Sequence, residues 1–507
     1  MINLYKPSIG PLLGFREYSD NSAYQRVLVR GKKTKARQTC YFFIKDVGGD
    51  FYRVFKKQLR GEAHDYTALL ELKKLPLDTR FEYKVTIARD DKVPPDYASL
   101  KTKDCYRGTF ETRNKNDSIT SFVFGSCCHF SLAGINNADD AAFKSMLEHW
   151  EKGQAEDDFI LMLGDQIYGD HGDGRNLLSK VPGFRVGMLF IPVISKKLLT
   201  FQHFLNHYYK AFRKKHKRKV MASIPTYMIF DDHEVHNDWG SNKFLNAPED
   251  YRVLRDGLRA YNLYQVSHPD IQVPKVSLPT NTQIQQGVEL PEAKYYYEFT
   301  HGKSGFFVMD TRFNKIPLNE SATNQSERRM VSAVQMDALK KFLRDNHTLV
   351  KFVATSVPMA PDSKSGDKCL TGIFDNSPED RWEGHADQRK IILDIIRQEN
   401  IRNVIFLSGD VHVSYAFDIR ENENNSIIAR QITSSAFNWG IGLNDCNFGK
   451  ASPLTGTDGM YSPVNRTGNF ITKDNFCRVV VKTNKADILF YHAKTGKCLR
   501  SFSIPLD

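Results

Sequence analysis

The stretch FILMLGDQIYGD, Phe159 to Asp170, decides how this chain is read. Its opening apolar run fits a short strand buried on both faces. Gly164 ends the run, and Asp165, Tyr168 and Asp170 follow at once. A carboxylate at the end of a buried strand meets a dry rim, where an unpaired charge is costly. The same pattern recurs elsewhere. YMIFDDHEVHND, Tyr227 to Asp238, supplies Asp231, Asp232, His233, Glu234, His236 and Asp238. VIFLSGDVHVSYAF, Val404 to Phe417, supplies Asp410 and His412. SFVFGSCCHF, Ser121 to Phe130, supplies Cys127, Cys128 and His129.

Each segment alone has an ordinary explanation. A strand-ending Asp is commonly the N-cap of the next helix, and a lone His commonly sits satisfied in a core. Several such groups converging from different strands repel unless cations hold them, which is how a metal site looks in sequence. Thiolate and phenolate are polarizable donors that suit an oxidised or borderline metal. Carboxylates suit a hard cation such as Ca²⁺ or Mg²⁺. A chain offering both hints at two unlike metals. Tyr168 follows Asp165 by three residues, so one helical turn or tight loop can aim both at one point.

At 507 residues the chain exceeds one ordinary core, which predicts two domains or a large one with an appendage. Apolar residues make up 41% and charged residues 26%, as in soluble globular proteins. Neither repeats nor low-complexity tracts are present. Lys and Arg number 71 against 59 Asp and Glu, a formal charge of +12. That surplus favours anionic partners such as nucleic acid, phosphate esters or acidic membranes, though solubility alone explains it as well. Eight cysteines without a C-x-x-C pair exclude a disulfide scaffold, a zinc finger and a thioredoxin site. The start, MINLYKPSIGPLLGF, has neither an apolar signal region nor a twin Arg. The expected location is cytoplasmic, or exported with the leader absent from this chain. No transmembrane segment is expected. The longest apolar stretch, VPGFRVGMLFIPVIS at Val181–Ser195, is broken by Arg, Pro and Gly. It fits a buried core segment first, and a lid or lipid-touching hairpin second.

Up to about Asn116 the chain reads as all-β. YTALLELKKLPLDTRFEYKVTIA, from Tyr66, predicts a strand, a turn at LPLDT and a second strand with Phe81, Tyr83 and Val85 on one face. This resembles the corner of a fibronectin type III sandwich. The polar run Glu111–Ser118 is the expected boundary, giving a β-sandwich domain over 1–116 and a catalytic domain over 117–507. From there, short apolar strands alternate with amphipathic helices, as in α/β proteins. The Asn- and Gly-rich run from Ala436 to Asn469 predicts a long functional loop, and the end returns to β-hairpins.

LGDQIYGD, FDDHEVHND, LSGDVHVSYAF and FGSC together resemble the metallophosphatase superfamily, and within it the PhoD-type alkaline phosphatases and phosphodiesterases. The Asp232-His233 pair, where most of the superfamily has Asn-His, marks that branch. MDTRF, WEGHADQR and ITSSAF follow in the family's order. The resemblance implies an α/β fold: a four-layer αββα metallophosphatase sandwich preceded by an N-terminal all-β, immunoglobulin- or fibronectin-III-like domain. It implies Fe³⁺ held by Cys127, Asp165, Tyr168 and His412, and Ca²⁺ held by Asp165, Asp232 and Asp410, with other divalent metals open. The implied activity is hydrolysis of phosphate mono- or diesters by a metal-activated hydroxide. His233 would protonate the leaving oxygen or bind the phosphoryl group. Arg312 is expected either to fork onto phosphate oxygens or to pair with Asp310 or another acid. Cys128 stands where the family has a polar residue. It is expected as a bystander, with metal competition or a vicinal disulfide as alternatives.

The basic cluster KAFRKKHKRKV, Lys210–Val220, is expected at the end of an amphipathic helix bearing Leu198, Leu205, Tyr209 and Phe212. Either it is solvated, or it steers a polyanionic phosphate ester such as nucleic acid, phospholipid or another phosphodiester. Two competing functions follow: a non-catalytic polyanion or nucleic-acid binder using residues 210–219, and a redox or iron-sensing protein using Cys127 and Cys128.

Overall fold

The computed structural model describes residues 4–90, 92–114, 119–129, 140–169, 200–237, 239, 248–266, 293–316, 328–345, 347–362, 380–439 and 452–506. Asp170, Asp238, Leu198 and the Val181–Ser195 stretch lie outside them.

Alternating β-branched and aromatic residues build the N-terminal part as two antiparallel sheets. One joins Ile9–Tyr18, Ala23–Arg30 and Thr67–Leu75. The other is built around Thr79–Arg89, which pairs with Leu4–Tyr5, Gln38–Asp46 and Tyr106–Thr112. Phe81, Tyr83 and Val85 fall on one buried face, as their alternation predicts. They pack with Val27, Leu70 and Leu72 of the first sheet in a shared core.

Two larger sheets carry the rest. The six-stranded sheet runs in the order Thr226–Ile229, Phe159–Leu163, Thr120–Gly125, Asn475–Val481, Lys485–His492 and Cys498–Pro505. Its first three strands are parallel, and Asn475–Val481 joins them antiparallel beside Thr120–Gly125. The seven-stranded sheet runs Tyr297–His301, Ser304–Val308, Val350–Ala354, Val404–Ser408, Ile427–Thr433, Tyr415–Glu421 and Tyr461–Asn465.

Phe122, on the first sheet, stacks on Phe159 at 5.1 Å. It also meets the second sheet's Phe306 and Phe352 edge-on at 5.2 and 5.1 Å. Each such buried ring contributes roughly 1.5–3 kcal/mol, so this core locks the strand ends of both sheets to one another. On its other side the six-stranded sheet packs against helices Ala141–Glu151, Phe201–Ala211, Lys215–Met221 and Pro248–Tyr264. The seven-stranded sheet packs against Ala333–Arg344 and Ala386–Gln398. The N-terminal sheets sit close against this body. Tyr83 donates to the Ala222 carbonyl at 2.6 Å, and Tyr227 donates to the Arg16 carbonyl at 3.3 Å. Among the described residues no helix is long and apolar enough to cross a membrane.

Candidate metal centre

Parallel strands of both sheets end at one place. Thr120–Gly125 leads to Cys127, Phe159–Leu163 to Asp165, Thr226–Ile229 to Asp231–Glu234, and Val404–Ser408 to Asp410 and His412. Each loop must turn within a residue or two to point its side chain across the rim. Cys127, Asp165, Asp410 and His412 do so with φ of 57°, 55°, 69° and 55°. The left-handed region is unfavourable for non-glycine residues, and such strain concentrates at functional sites.

The result is three overlapping groups of ligand atoms, each within 4.8 Å of one another: Cys127 with Asp165 and His412, Asp165 with Asp232 and His233, and Asp231 with Asp232 and Asp410. Tyr168 joins the first group. Its hydroxyl lies 3.1 Å from Asp165 Oδ2 and 3.4 Å from His412 Nε2, and Cys127 Sγ lies 3.4 Å from the same Asp165 oxygen. All the metal residues expected from the sequence, together with His233, are therefore brought together.

Most of this cluster is shut off from water. Cys127, Asp165, Tyr168, Asp231, Asp232 and His233 are buried. Burial first, then the charge of Asp165, pushes the Cys127 thiol well above its usual range. Tyr168 is pushed up in the same way. Burial raises Asp165 as well, with the nearby Asp231, Asp232 and Glu234 adding to it and His233 opposing. Asp410 is also pushed up, by burial and by Asp231, although 19% of its side chain stays exposed. These groups resist ionising side by side; a cation placed among them would reverse that preference.

Several contributors had no role assigned from the sequence. Glu234 is fully buried, and its carboxylate accepts from the amides of Asp165 (2.9 Å), Gln166 (2.6 Å) and Asp231 (2.8 Å) and from Gln265 Nε2 (2.8 Å). It thus ties two ligand loops together. Ser435 donates to Cys127 Sγ at 3.3 Å and accepts from the His412 amide at 3.0 Å. Trp439 stacks flat on His412 with centroids 3.8 Å apart. The segment SSAFNW is stitched to the cysteine loop through Phe437 N to Ser126 O (2.8 Å) and His129 N to Asn438 O (2.8 Å). The resemblance marked ITSSAF, but nothing local to it indicates which loop it meets.

Arg312 differs from one of its two expectations. Its side chain is fully buried, and its guanidinium contacts Asp231 and Asp380, with Asp232 at 3.7 Å. Lys315 joins Asp380 at 3.0 Å. Asp310 instead accepts the backbone amides of Arg312 and Phe313 at 3.0 and 2.9 Å. A guanidinium saturated by buried carboxylates has no face to offer a phosphate, so the ion-pair alternative describes what is seen.

The basic cluster is likewise taken apart by the fold. Rather than ending one helix, it continues into a second, Lys215–Met221. His216 pairs with Asp140 at 2.8 Å, buried Lys217 donates to Gln166 at 3.1 Å, and Lys219 meets Glu151 at 2.8 Å. Arg218 donates to the Pro7 carbonyl at 2.9 Å and the Gly10 carbonyl at 3.0 Å. These four residues are engaged within the fold, whereas Arg213 and Lys215 stay exposed.

The two cysteines face different surroundings. Cys127 packs with Tyr168, Ala436 and Trp439, whereas Cys128 belongs to the core beneath the helices. Both are free thiols.

The model of the PhoD-like phosphatase family matches residues 122–485. Alkaline phosphatase D of Bacillus subtilis (strain 168) is 24% identical over 310 residues, which are 59% of this chain and 47% of that protein. The match thus spans about half the length of that relative. Among solved structures, a structure of PhoD aligns with a TM-score of 0.68 at 17% identity, covering 99% of this chain and 91% of the other. The purple acid phosphatase PPD1 of yellow lupin aligns with a TM-score of 0.54 at 11% identity, covering 98% and 74%. At such identities these two likenesses concern the mixed α/β fold alone. Every residue of the cluster falls inside the matched span, and the chain belongs to the PhoD-like phosphatase family.

Proposed function

We propose that this protein is a metal-dependent phosphoesterase, hydrolysing phosphate mono- or diesters at a two-metal site. The observation that carries it is the overlap of the ligand groups: Asp165 belongs to two of them, and so does Asp232. A carboxylate shared in this way can offset two adjacent cations. The donor set fits. Asp165 Oδ1 is buried with no hydrogen-bond partner among the described residues. Ligand-atom separations of 3.1–3.4 Å suit a shell whose metal–ligand distances are about 2.0–2.3 Å.

Cys127, Asp165, Tyr168 and His412 would hold the softer or oxidised metal, Fe³⁺ in this proposal. Asp165, Asp232 and Asp410 would hold a hard cation, Ca²⁺. When bound, such a pair polarises phosphoryl oxygens and lowers the pKa of water at the site. The chain's own residues do the rest. Glu234 fixes the Asp165 and Asp231 loops relative to each other. Trp439 and Ser435 orient His412. The rings of Tyr168, His129 and Trp439 pack together and keep bulk water away from the thiolate side. His233 lies against Tyr168 beside Asp165 and Asp232, and delivers the proton to the leaving oxygen. The three apolar cores support the four-layer αββα arrangement, and the separate core of residues up to 116 supports an N-terminal β-sandwich domain.

Hydrolysis of p-nitrophenyl phosphate and bis-p-nitrophenyl phosphate, with and without chelator, tests the activity. The expected result is turnover of at least one ester, abolished by chelation. Loaded protein that turns over neither would overturn the proposal. Elemental analysis with a visible spectrum tests the iron: a colourless zinc protein would remove Fe³⁺ from it.

A further inference from the structure

The accessible edge of the cluster is narrow. Cys127, Asp165, Tyr168, Asp231, Asp232 and His233 are buried, whereas Asp410, Val411 and His412 retain partial exposure. Among the described residues, the side of the cluster open to an incoming ligand is therefore that of Asp410–His412. The cations around the cluster differ in the same respect. The Arg312 and Lys315 side chains are fully buried and bound to carboxylates, and Lys217 is fully buried against Gln166. Arg381 keeps 12% of its side chain exposed, and its Nε lies 4.0 Å from Asp410 Oδ2.

Arg381 is also held from a fixed point. It adopts an extended backbone, with φ −117° and ψ 172°, at the N-cap of the short helix Trp382–His385. On one side, Asp380 is clamped by Arg312 and Lys315. On the other, Trp382 is fully buried and donates to Thr355 Oγ1 at 3.2 Å. The backbone between two such anchors cannot drift, so the long side chain is presented at a defined place on the rim. Arg381 and Asp410 form an ion pair at 4.0 Å, longer than a hydrogen bond, which aims the guanidinium toward the cluster. A guanidinium offers five N–H donors in a planar fork, and a phosphoryl group accepts two of them at once.

We propose that Arg381 binds the phosphoryl oxygens of the substrate at the open edge of the metal cluster, in the place the sequence suggested for Arg312. The assignment rests on the phosphoesterase function proposed above.

The test uses the full metal-loaded chain and two variants, Arg381→Ala and Arg381→Lys. Binding of inorganic phosphate is measured by calorimetry, KM and kcat with the p-nitrophenyl esters, and metal content by elemental analysis. Arg381→Ala is expected to weaken phosphate binding and raise KM by about 10- to 100-fold, with metal content unchanged and partial recovery on adding guanidinium. Arg381→Lys keeps the charge without the fork and is expected to fall between. Wild-type phosphate affinity in both loaded variants, or loss of metal from both, would overturn the assignment while leaving the phosphoesterase function in place. A wild-type protein that neither binds phosphate nor hydrolyses either ester would overturn both.

Discussion

Two groups of carboxylates lie side by side at these strand ends, and their charges are balanced differently. In the first, Asp231 and Asp380 face Arg312 and Lys315, so two buried anions meet two buried cations. In the second, Asp232 and Asp410 have guanidinium groups at 3.7 and 4.0 Å, beyond hydrogen-bond length. Asp165, between them, has no Lys or Arg within ion-pair distance among the described residues, and it is surrounded by a thiol, a phenol and further acids. Neighbouring clusters of the same residue types thus carry opposite messages. The neutralised one is architecture. The one short of positive charge is where a cation belongs.

Asp165→Ala tests that contrast most severely. Removing the shared carboxylate is expected to cost about 10³-fold or more in kcat/KM, equivalent to roughly 4 kcal/mol, with metal lost from both positions. Activity within tenfold of wild type would mean that Asp165 bridges nothing. Arg312→Met attacks the balanced group instead. It strands Asp231 and Asp380, and is expected to destabilise the fold by about 3–5 kcal/mol in denaturant titration. A loss of activity without loss of stability would return Arg312 to a substrate-binding role.

Glu234→Gln probes the joint between the groups. Glu234 accepts four N–H bonds, and an amide turns one acceptor into a donor facing donors. Metal affinity is expected to fall about 10- to 100-fold, read by competition with a chelating dye. Unchanged affinity would mean the loops hold their register without it.

The smallest effect is a pH dependence. Burial raises Asp231 to about 6 and Glu234 to about 7. A carboxyl raised by folding stabilises the fold while protonated, and that contribution disappears as pH rises through the raised value. Chelator-treated protein should therefore lose thermal stability between about pH 4 and 7, whereas loaded protein should change little. Parallel profiles for the two would mean that cations do not compensate these groups.

Much of the site was legible because its signals are local. Short apolar runs ending in Gly and Asp fix both the strand and the direction in which its carboxylate leaves, and the resemblance of several such ends supplied the rest. The split between the adjacent cysteines was harder. Cys127 turns with φ 57°, and only that turn sends Cys128 toward the helical core. Neither Ser435 nor Trp439 carries a local mark of its contact with Cys127 or His412, because the first contact crosses between the two sheets and the second joins loops of two strands that neighbour each other only in the folded sheet. Likewise, nothing in NFCRVVV indicates that it enters the six-stranded sheet beside Thr120–Gly125.

By itself, then, the sequence determined the alternating strands and helices, the acidic strand ends, and the thiol, phenol and imidazole that accompany them. These follow from side-chain periodicity and from the cost of a carboxylate at a dry rim. Only the tertiary structure decided which charges are spent. Arg312, Lys217 and Arg218 carry no mark of their partners in sequence, yet folding buries the first two and ties the third to the Pro7 and Gly10 carbonyls. Charge pairing is set by distances between segments far apart in the chain, and no local pattern encodes those distances.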